Sequence, residues 1–182
     1  MQNNMLINKN GLTIRHAIAA DAPLLGSWWR SGEIMAFSGY PLGLDDTDEQ
    51  VERQILSCCD QTYRLLILEI DGKPVGEMSY HNMGNSPCGK TAQTGIKICD
   101  ASLRGKGYGT QFMLLLIDEL FSVYGFERII LDVDINNLRA RRVYEKIGFI
   151  EKGVRHDCWK NQLGEPQTVV DYELIKSCII SA

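Results

Sequence analysis

A glycine-rich stretch, Arg104-Gly105-Lys106-Gly107-Tyr108-Gly109, has the composition of an anion-binding turn. It follows a strand-like run, 94–99, and leads into an apolar run, 112–120, so the pattern predicts a strand, a turn and a helix. The first N–H groups of a helix lack internal partners and carry the positive end of the helix dipole. Glycines let several N–H groups point at one anion. We therefore predict a phosphate socket here, to which Arg104 and Lys106 add charge.

The glycine spacing excludes the two common phosphate-binding motifs. A P-loop has Lys and then Ser or Thr after its last glycine, whereas Gly109 is followed directly by Thr110. The dinucleotide fingerprint Gly-x-Gly-x-x-Gly fails because Gly105, Gly107 and Gly109 occupy alternate positions. The pattern that remains is Arg-x-x-Gly-x-Gly, which begins at Arg104.

A second motif, Asn-x-x-Ala-x-x-x-Tyr-Glu-Lys-x-Gly-Phe, runs from Asn137 to Phe149. Together the two motifs resemble the pyrophosphate loop and the second signature of the GNAT superfamily of N-acetyltransferases. The segment 153–174 is similar to the branch of ribosomal-protein N-terminal and related amine acetyltransferases. The resemblance covers the chain from Leu12 to Ile175.

The resemblance implies an enzyme that uses acetyl-CoA as co-substrate, without a metal, and transfers the acetyl group directly to a primary amine. It implies that backbone N–H groups of the glycine turn hold the pyrophosphate: Arg104, Gly105, Lys106, Gly107, Tyr108, Gly109 and Thr110. Backbone groups of Ile98 and Cys99 would pair with the pantetheine arm like an added strand, and Asn137 would contact that arm. A kink at Cys99 or Asp100 would splay this strand from the strand 128–135, leaving space for the acetyl carbonyl.

Two side chains are candidates for the proton transfers. Tyr144, matched to the second motif, is the candidate acid, because a phenol with a reference pKa of about 10 can protonate a departing thiolate. The alternative for Tyr144 is an aromatic side chain that is half core and half surface. Alternation in a probable central strand places Glu77, Ser79 and His81 on one face, where Glu77 is the candidate base. His81, a chain of water molecules, or a purely structural carboxylate pair remain alternatives.

Other polar residues are weaker candidates. Asp132 and Asp134 share a strand face and suggest a carboxylate pair, but no third metal ligand is close in sequence. We expect His16 and His156 to be surface or hydrogen-bonded histidines. Cys99 lies in an apolar strand, which favours an inert buried thiol over a nucleophile.

Composition limits the class of protein. The 182 residues, 45% apolar and 23% charged, predict one globular domain over 11–182 after an N-terminal extension, 1–10. A formal net charge of −4 argues against a nucleic-acid partner. Six cysteines without a Cys-x-x-Cys pair, no signal-peptide pattern and no long apolar run predict a cytoplasmic protein away from membranes. A homodimer is compatible with these features.

The elements that must position these residues follow the order βααβββαβαββ. This order predicts an α/β (α+β) sandwich with a central mixed, mostly antiparallel sheet, splayed at the cofactor site and flanked by about four helices. Asp71-Gly72 predicts a hairpin turn, and Gly125 and Gly148 predict helix ends. The resemblance also implies that the loop 31–46, which carries Glu33, contributes to the pocket for the acceptor, and we treat this role as a hypothesis.

Two other functions stay open from the sequence. A non-catalytic sensor or interaction module that binds acyl-CoA would keep the glycine turn and lose the chemistry. The same turn is also compatible with a nucleotide-binding protein, an interpretation that the glycine spacing favours less. The acceptor is expected to be a small-molecule amine or a protein N-terminus.

Overall fold

A computed structural model describes residues 6–87 and 89–176 of the chain. The strands among these residues, β1 to β8, are Leu6–Lys9, Leu12–His16, Tyr63–Ile70, Lys73–Ser86, Gly89–Ile98, Arg128–Asp134, Ile150–Lys160 and Pro166–Ile175. The α-helices, α1 to α5, are Ala22–Trp29, Gly32–Met35, Asp48–Ser57, Tyr108–Ser122 and Leu138–Ile147. The helix not expected from the sequence is α2, a single turn that continues into a 3₁₀ turn at Ala36–Ser38.

Two hairpins are built from the same turn chemistry. Asp71 and Gly72 have φ angles of 49° and 76° and join β3 to β4, which confirms the predicted turn. Asn10 and Gly11, with φ angles of 54° and 78°, join β1 to β2 in the same way. The segment Leu6–Lys9, part of the expected N-terminal extension, is therefore paired in the sheet.

The sheet has the strand order β1-β2-β3-β4-β5-β6-β8-β7. The pairs β1/β2, β2/β3, β3/β4, β4/β5 and β7/β8 are antiparallel. β5 and β6 are parallel, with residues 91–93 opposite residues 128–130. The sheet is thus mixed and mostly antiparallel, as the sequence predicted.

The chain divides into two compact units. The first contains residues 1–17, 58–130 and 174–182, and so holds β1 to β5, the start of β6 and α4. The second contains residues 18–57 and 131–173, and so holds α1 to α3, the rest of β6, α5, β7 and most of β8.

In the first unit, α4 packs against β2 and β5. It buries an apolar stripe at helical spacing, made of Phe112, Met113, Leu116, Ile117, Leu120 and Phe121. Each such burial stabilises the fold by about 1.5–3 kcal/mol, so Leu116→Ala should destabilise it by about 2–5 kcal/mol. The ammonium groups of Lys176 and Lys90 bond the carbonyls of Phe121 and Tyr124 at 2.7 and 2.9 Å. These bonds satisfy carbonyls where the helix ends.

In the second unit, α1 packs against α2 and α3. Helix α5 ends as predicted at Gly148, whose φ is 109° and whose N–H bonds back to the carbonyls of Tyr144 and Glu145. Among the residues that the structure describes, no helix is long and apolar enough to cross a membrane.

Candidate active site

The glycine turn of the first unit needs glycine at two positions. Gly105 and Gly107 have φ angles of 78° and 86°, in the left-handed region, where a Cβ costs about 1–2 kcal/mol. Gly107 is also the N-cap of α4. Gly109 lies inside the helix, where an added Cβ would meet Ile98 Cγ1 at 3.8 Å, an ordinary contact. The backbone therefore requires the first two glycines and not the third.

The turn presents a set of unused backbone donors. The Lys106 N–H bonds to the Leu103 carbonyl at 3.4 Å, and the Gln111 N–H bonds to the Gly107 carbonyl at 3.1 Å. Over the described residues, no backbone carbonyl accepts from the following N–H groups: Gly105, Gly107, Tyr108, Gly109 and Thr110. A Cβ built at Gly105 or Gly107 meets nothing within 4 Å, so no neighbouring group fills the side-chain position of these two residues. Together with the helix dipole, this cradle fits a diphosphate.

Arg104 ties the turn to the end of β5. Its Nε donates to the Ile98 carbonyl at 3.0 Å and its Nη2 to the Cys99 carbonyl at 3.3 Å. Its backbone N–H donates to Ala101 at 3.2 Å. Of the N–H groups assigned to the pyrophosphate by resemblance, those of Arg104 and Lys106 are therefore already bonded, to the carbonyls of Ala101 and Leu103.

The end of β5 has the expected kink. The Val75 carbonyl accepts from two successive N–H groups, Cys99 at 2.9 Å and Asp100 at 3.1 Å, which is the pattern of a β-bulge. Neighbouring residues of a strand direct their backbone groups to opposite edges. Because the Cys99 N–H is directed at β4, the Ile98 N–H is directed at the other edge.

The Cys99 thiol is buried beside this kink. Burial, with the negative charge of Glu77 adding to it, raises the pKa of Cys99 to about 12. The thiolate is the nucleophilic form, so this cysteine stays inert at physiological pH, as expected from its apolar strand.

A cluster of polar side chains lies on one face of β3, β4 and β5. Glu77 is only 4% exposed, and its Oε1 lies 2.8 Å from the Lys97 ammonium on the neighbouring strand. The ring of Tyr63 contacts that of His81, with centroids 4.3 Å apart. Burial, followed by the charge of Glu77, raises the pKa of Tyr63, and burial lowers the pKa of His81. Sequence alternation found Glu77 but missed Lys97, which lies directly opposite in the antiparallel register.

Tyr144, on α5 in the second unit, is 6% exposed. Its ring contacts those of Phe149 and Tyr172, at centroid distances of 5.7 and 6.0 Å. Burial, with a contribution from the charge of Asp132, raises the pKa of Tyr144 to about 12.

The Tyr144 hydroxyl reaches the protein surface. In the part of the chain that the structure describes, no side-chain polar atom is both fully buried and without a hydrogen-bond partner. The Tyr144 hydroxyl has no hydrogen bond to any of these residues, so it must be accessible. A buried ring with an accessible hydroxyl is the geometry of a proton donor to a bound molecule.

The surroundings of Tyr144 are fixed by a polar network. The Tyr172 hydroxyl donates to Glu145 Oε1 at 2.9 Å and accepts from Arg141 Nε at 3.3 Å. At the start of the same helix, Asn137 Oδ1 accepts from the Ala140 N–H at 3.2 Å, an N-cap. Asn137 therefore holds the beginning of α5.

Asp132 and Asp134 have separate partners. Arg155 bonds both oxygens of Asp171, at 2.7 and 2.8 Å, and lies 3.4 Å from Asp132. Asp134 accepts from the Asn136 N–H at 2.8 Å, as the cap of a turn. Across residues 6–87 and 89–176, no group of three or more His, Cys, Asp or Glu side chains is placed to hold a metal ion.

The two histidines expected to be structural or exposed are so placed. His16 is buried, with Nε2 3.9 Å from Asp60, whose carboxylate also accepts from Arg64 Nε at 2.7 Å and the Tyr80 hydroxyl at 2.9 Å. Burial, and then the charge of Arg64, lowers the pKa of His16. His156 is exposed on β7.

The loop 31–46 is held by the turn between β7 and β8. The Gln162 backbone N–H donates to the Gly39 carbonyl at 2.8 Å, and its Nε2 donates to the Gly43 carbonyl at 2.9 Å. Glu33 is exposed in the first turn of α2. An acceptor role for this loop remains a prediction.

Comparison with known proteins identifies the family. A family model described as an acetyltransferase (GNAT) domain matches residues 11–150. The chain belongs to the GNAT acetyltransferase family. Among curated relatives, an aminoglycoside N(6')-acetyltransferase type 1 from Klebsiella pneumoniae is 28% identical over 162 residues, covering 82% of this GNAT chain and 80% of that protein.

Solved structures share the GNAT fold. A spermidine N-acetyltransferase from Vibrio cholerae, in complex with CoA and spermine, has a TM-score of 0.83 and 20% identity, covering 95% of this chain and 100% of that chain. A ribosomal L7/L12 alpha-N-protein acetyltransferase in complex with coenzyme A has a TM-score of 0.81 and 16% identity, covering 94% and 98%. Both likenesses support the mixed eight-stranded sheet with five flanking helices as a GNAT fold.

Proposed function

We propose that this protein transfers an acetyl group from acetyl-CoA to a primary amine by direct attack in a ternary complex. The observation that carries the proposal is the glycine turn, where open backbone donors at a helix start fit a diphosphate. Family membership supports acyl transfer, and structures of two neighbouring acetyltransferases contain CoA.

Each part of the cofactor has a proposed partner. The N–H groups of Gly105, Gly107 and 108–110 hold the diphosphate, and Lys106 adds positive charge near it. The Ile98 N–H pairs with the pantetheine arm as an added strand would. The Asn137 side chain contacts the arm from the start of α5.

Acetyl-CoA supplies an activated thioester. The amine nitrogen attacks its carbonyl carbon, so that a C–N bond forms and the C–S bond breaks. The nitrogen becomes acidic as the new bond forms, and Glu77 accepts its proton directly or through water. Tyr144 donates its phenol proton to the departing sulfur. Exchange with solvent returns both groups to their starting states, and holding both substrates together supplies much of the rate.

The acceptor in this proposal is a small-molecule amine or a protein N-terminus. The named relatives are an aminoglycoside, a spermidine and a ribosomal-protein acetyltransferase, so all three acceptor types belong in the test. A net charge of −4 does not disfavour a cationic amine. We place the reaction in the cytoplasm, where free thiols such as those of Cys58, Cys59, Cys99 and Cys158 are stable.

The test is an assay of free thiol release from acetyl-CoA with a panel of amines. The panel contains kanamycin, spermidine and a short peptide with a free N-terminus, and the acetylated product is identified by mass spectrometry. We expect amine-dependent release with at least one of them. CoA binding without release from any amine would contradict the enzyme and support an acyl-CoA sensor, and ATP competing equally with CoA would indicate a nucleotide-binding protein.

A further inference from the structure

We propose that Lys97 is a positioning residue for Glu77, which holds the carboxylate in the orientation that receives the proton of the incoming amine. The inference rests on the proposed function, because it assigns Glu77 the role of base. It adds a residue that neither family motif contains.

The two side chains form a direct cross-strand pair. Glu77 on β4 is opposite Lys97 on β5 in the antiparallel register, and Lys97 Nζ lies 2.8 Å from Glu77 Oε1. The carboxylate side chain is 6% exposed, whereas that of Lys97 is 30% exposed. A carboxylate with so little water around it keeps its charge only when a partner compensates for the lost hydration. Lys97 supplies that compensation and fixes one oxygen.

The pair lies close to the kinked end of β5. Glu77 is two residues beyond Val75, whose carbonyl makes the bulge, and Lys97 is two residues before Cys99. This is also the segment whose Ile98 N–H we assign to the pantetheine arm.

Other titratable groups near Glu77 are neutral at physiological pH. Burial raises the pKa of both Tyr63 and Cys99, and the charge of Glu77 adds to each shift. Burial lowers the pKa of His81, on the same face of β4. The positive charge at 2.8 Å from the carboxylate is therefore that of Lys97.

The test is a double-mutant cycle with Lys97→Met and Glu77→Gln, assayed with whichever of kanamycin, spermidine and the free peptide is acetylated fastest. Lys97→Met should lower kcat by about ten- to a hundredfold, with the KM for acetyl-CoA unchanged. Lys97→Arg, which keeps the charge, should retain most of the activity.

The cycle separates this inference from the proposed function. In the Glu77→Gln background, Lys97→Met should have little further effect, since Lys97 acts through Glu77. An equal loss in both backgrounds, or a loss that falls on the KM for acetyl-CoA and not on kcat, would overturn the positioning role. Full activity of Glu77→Gln would instead remove Glu77 as the base, and the inference with it.

A measurement without substrate keeps the inference testable. A crystal structure of Lys97→Met without substrate should show the Glu77 carboxylate moved from its native position, and an unmoved carboxylate would overturn the proposal. Where Lys97→Met does not fold, as judged by thermal unfolding, Lys97→Gln replaces it in both experiments.

Discussion

The glycine turn and the Tyr144 cluster are built on opposite principles. At Gly105 and Gly107 the side chains are absent, the φ angles are left-handed and the available groups are backbone N–H donors. At Tyr144 one side chain carries the chemistry, in a buried cluster with Phe149 and Tyr172. Substitutions should therefore separate the two regions. Changes in the turn should alter CoA affinity, and changes at Tyr144 should alter turnover.

The largest effect is expected from Tyr144→Phe, which removes the phenol proton and keeps the ring. General-acid catalysis contributes about 10²–10⁴-fold, so kcat should fall by about that factor. The Kd for CoA, measured by calorimetry, should not change.

Tyr172→Phe is the matched control for that variant. It also removes one hydroxyl from the same aromatic cluster, but that hydroxyl is engaged with Glu145 and Arg141. Its effect should fall on stability, by about 0.5–1.5 kcal/mol, and not on kcat. Full turnover of Tyr144→Phe would remove Tyr144 from the mechanism.

Gly107→Ala should weaken CoA binding by about tenfold, because alanine at a φ of 86° is strained by about 1–2 kcal/mol and the turn would move away from its cradle shape. Gly109→Ala is the control, since its Cβ has room at 3.8 Å from Ile98 Cγ1. Calorimetry should show a change of less than about twofold for the control. Equal losses from both substitutions would mean that side-chain bulk, and not backbone conformation, governs the turn.

Lys106→Ala should have a smaller effect, about threefold on the Kd for CoA at low salt. Lys106 is exposed, so its attraction for a phosphate is partly screened by water and ions. The difference between native and variant should disappear as the salt concentration rises. A salt-independent difference would point to a change in the shape of the turn.

The smallest effect is expected in the pH profile of kcat. Burial raises the pKa of Tyr144 to about 12, so the phenol keeps its proton at pH values where an ordinary tyrosine, with a pKa of about 10, would have lost half. The kcat should therefore stay level up to about pH 10, within the range where the protein remains folded. A fall centred near pH 9–10 that disappears in Tyr144→Phe would contradict this assignment.

Features set by local chemistry were predictable from the sequence. Asp71-Gly72 and Gly148 adopt the left-handed conformations that their turns and helix ends require. The hairpin at Asn10-Gly11 carries the same signal, but the sequence analysis assigned residues 1–10 to an extension and did not predict β1.

Features set by long-range pairing were not predictable. The pairing of Glu77 with Lys97 depends on the register of two strands, which no local pattern specifies.

Two local features were also missed. The motif Arg-x-x-Gly-x-Gly emphasised Gly109, yet the left-handed residues are Gly105 and Gly107. The single-turn helix α2 was not predicted, because a segment of four residues is too short to show a helical period.

The most direct measurement is a crystal structure of the protein with CoA bound. We expect the diphosphate oxygens to lie within hydrogen-bond distance of the N–H groups of Gly105, Gly107 and residues 108–110. A structure in which CoA binds with its diphosphate elsewhere, or in which the turn closes over its own donors at saturating CoA, would contradict it.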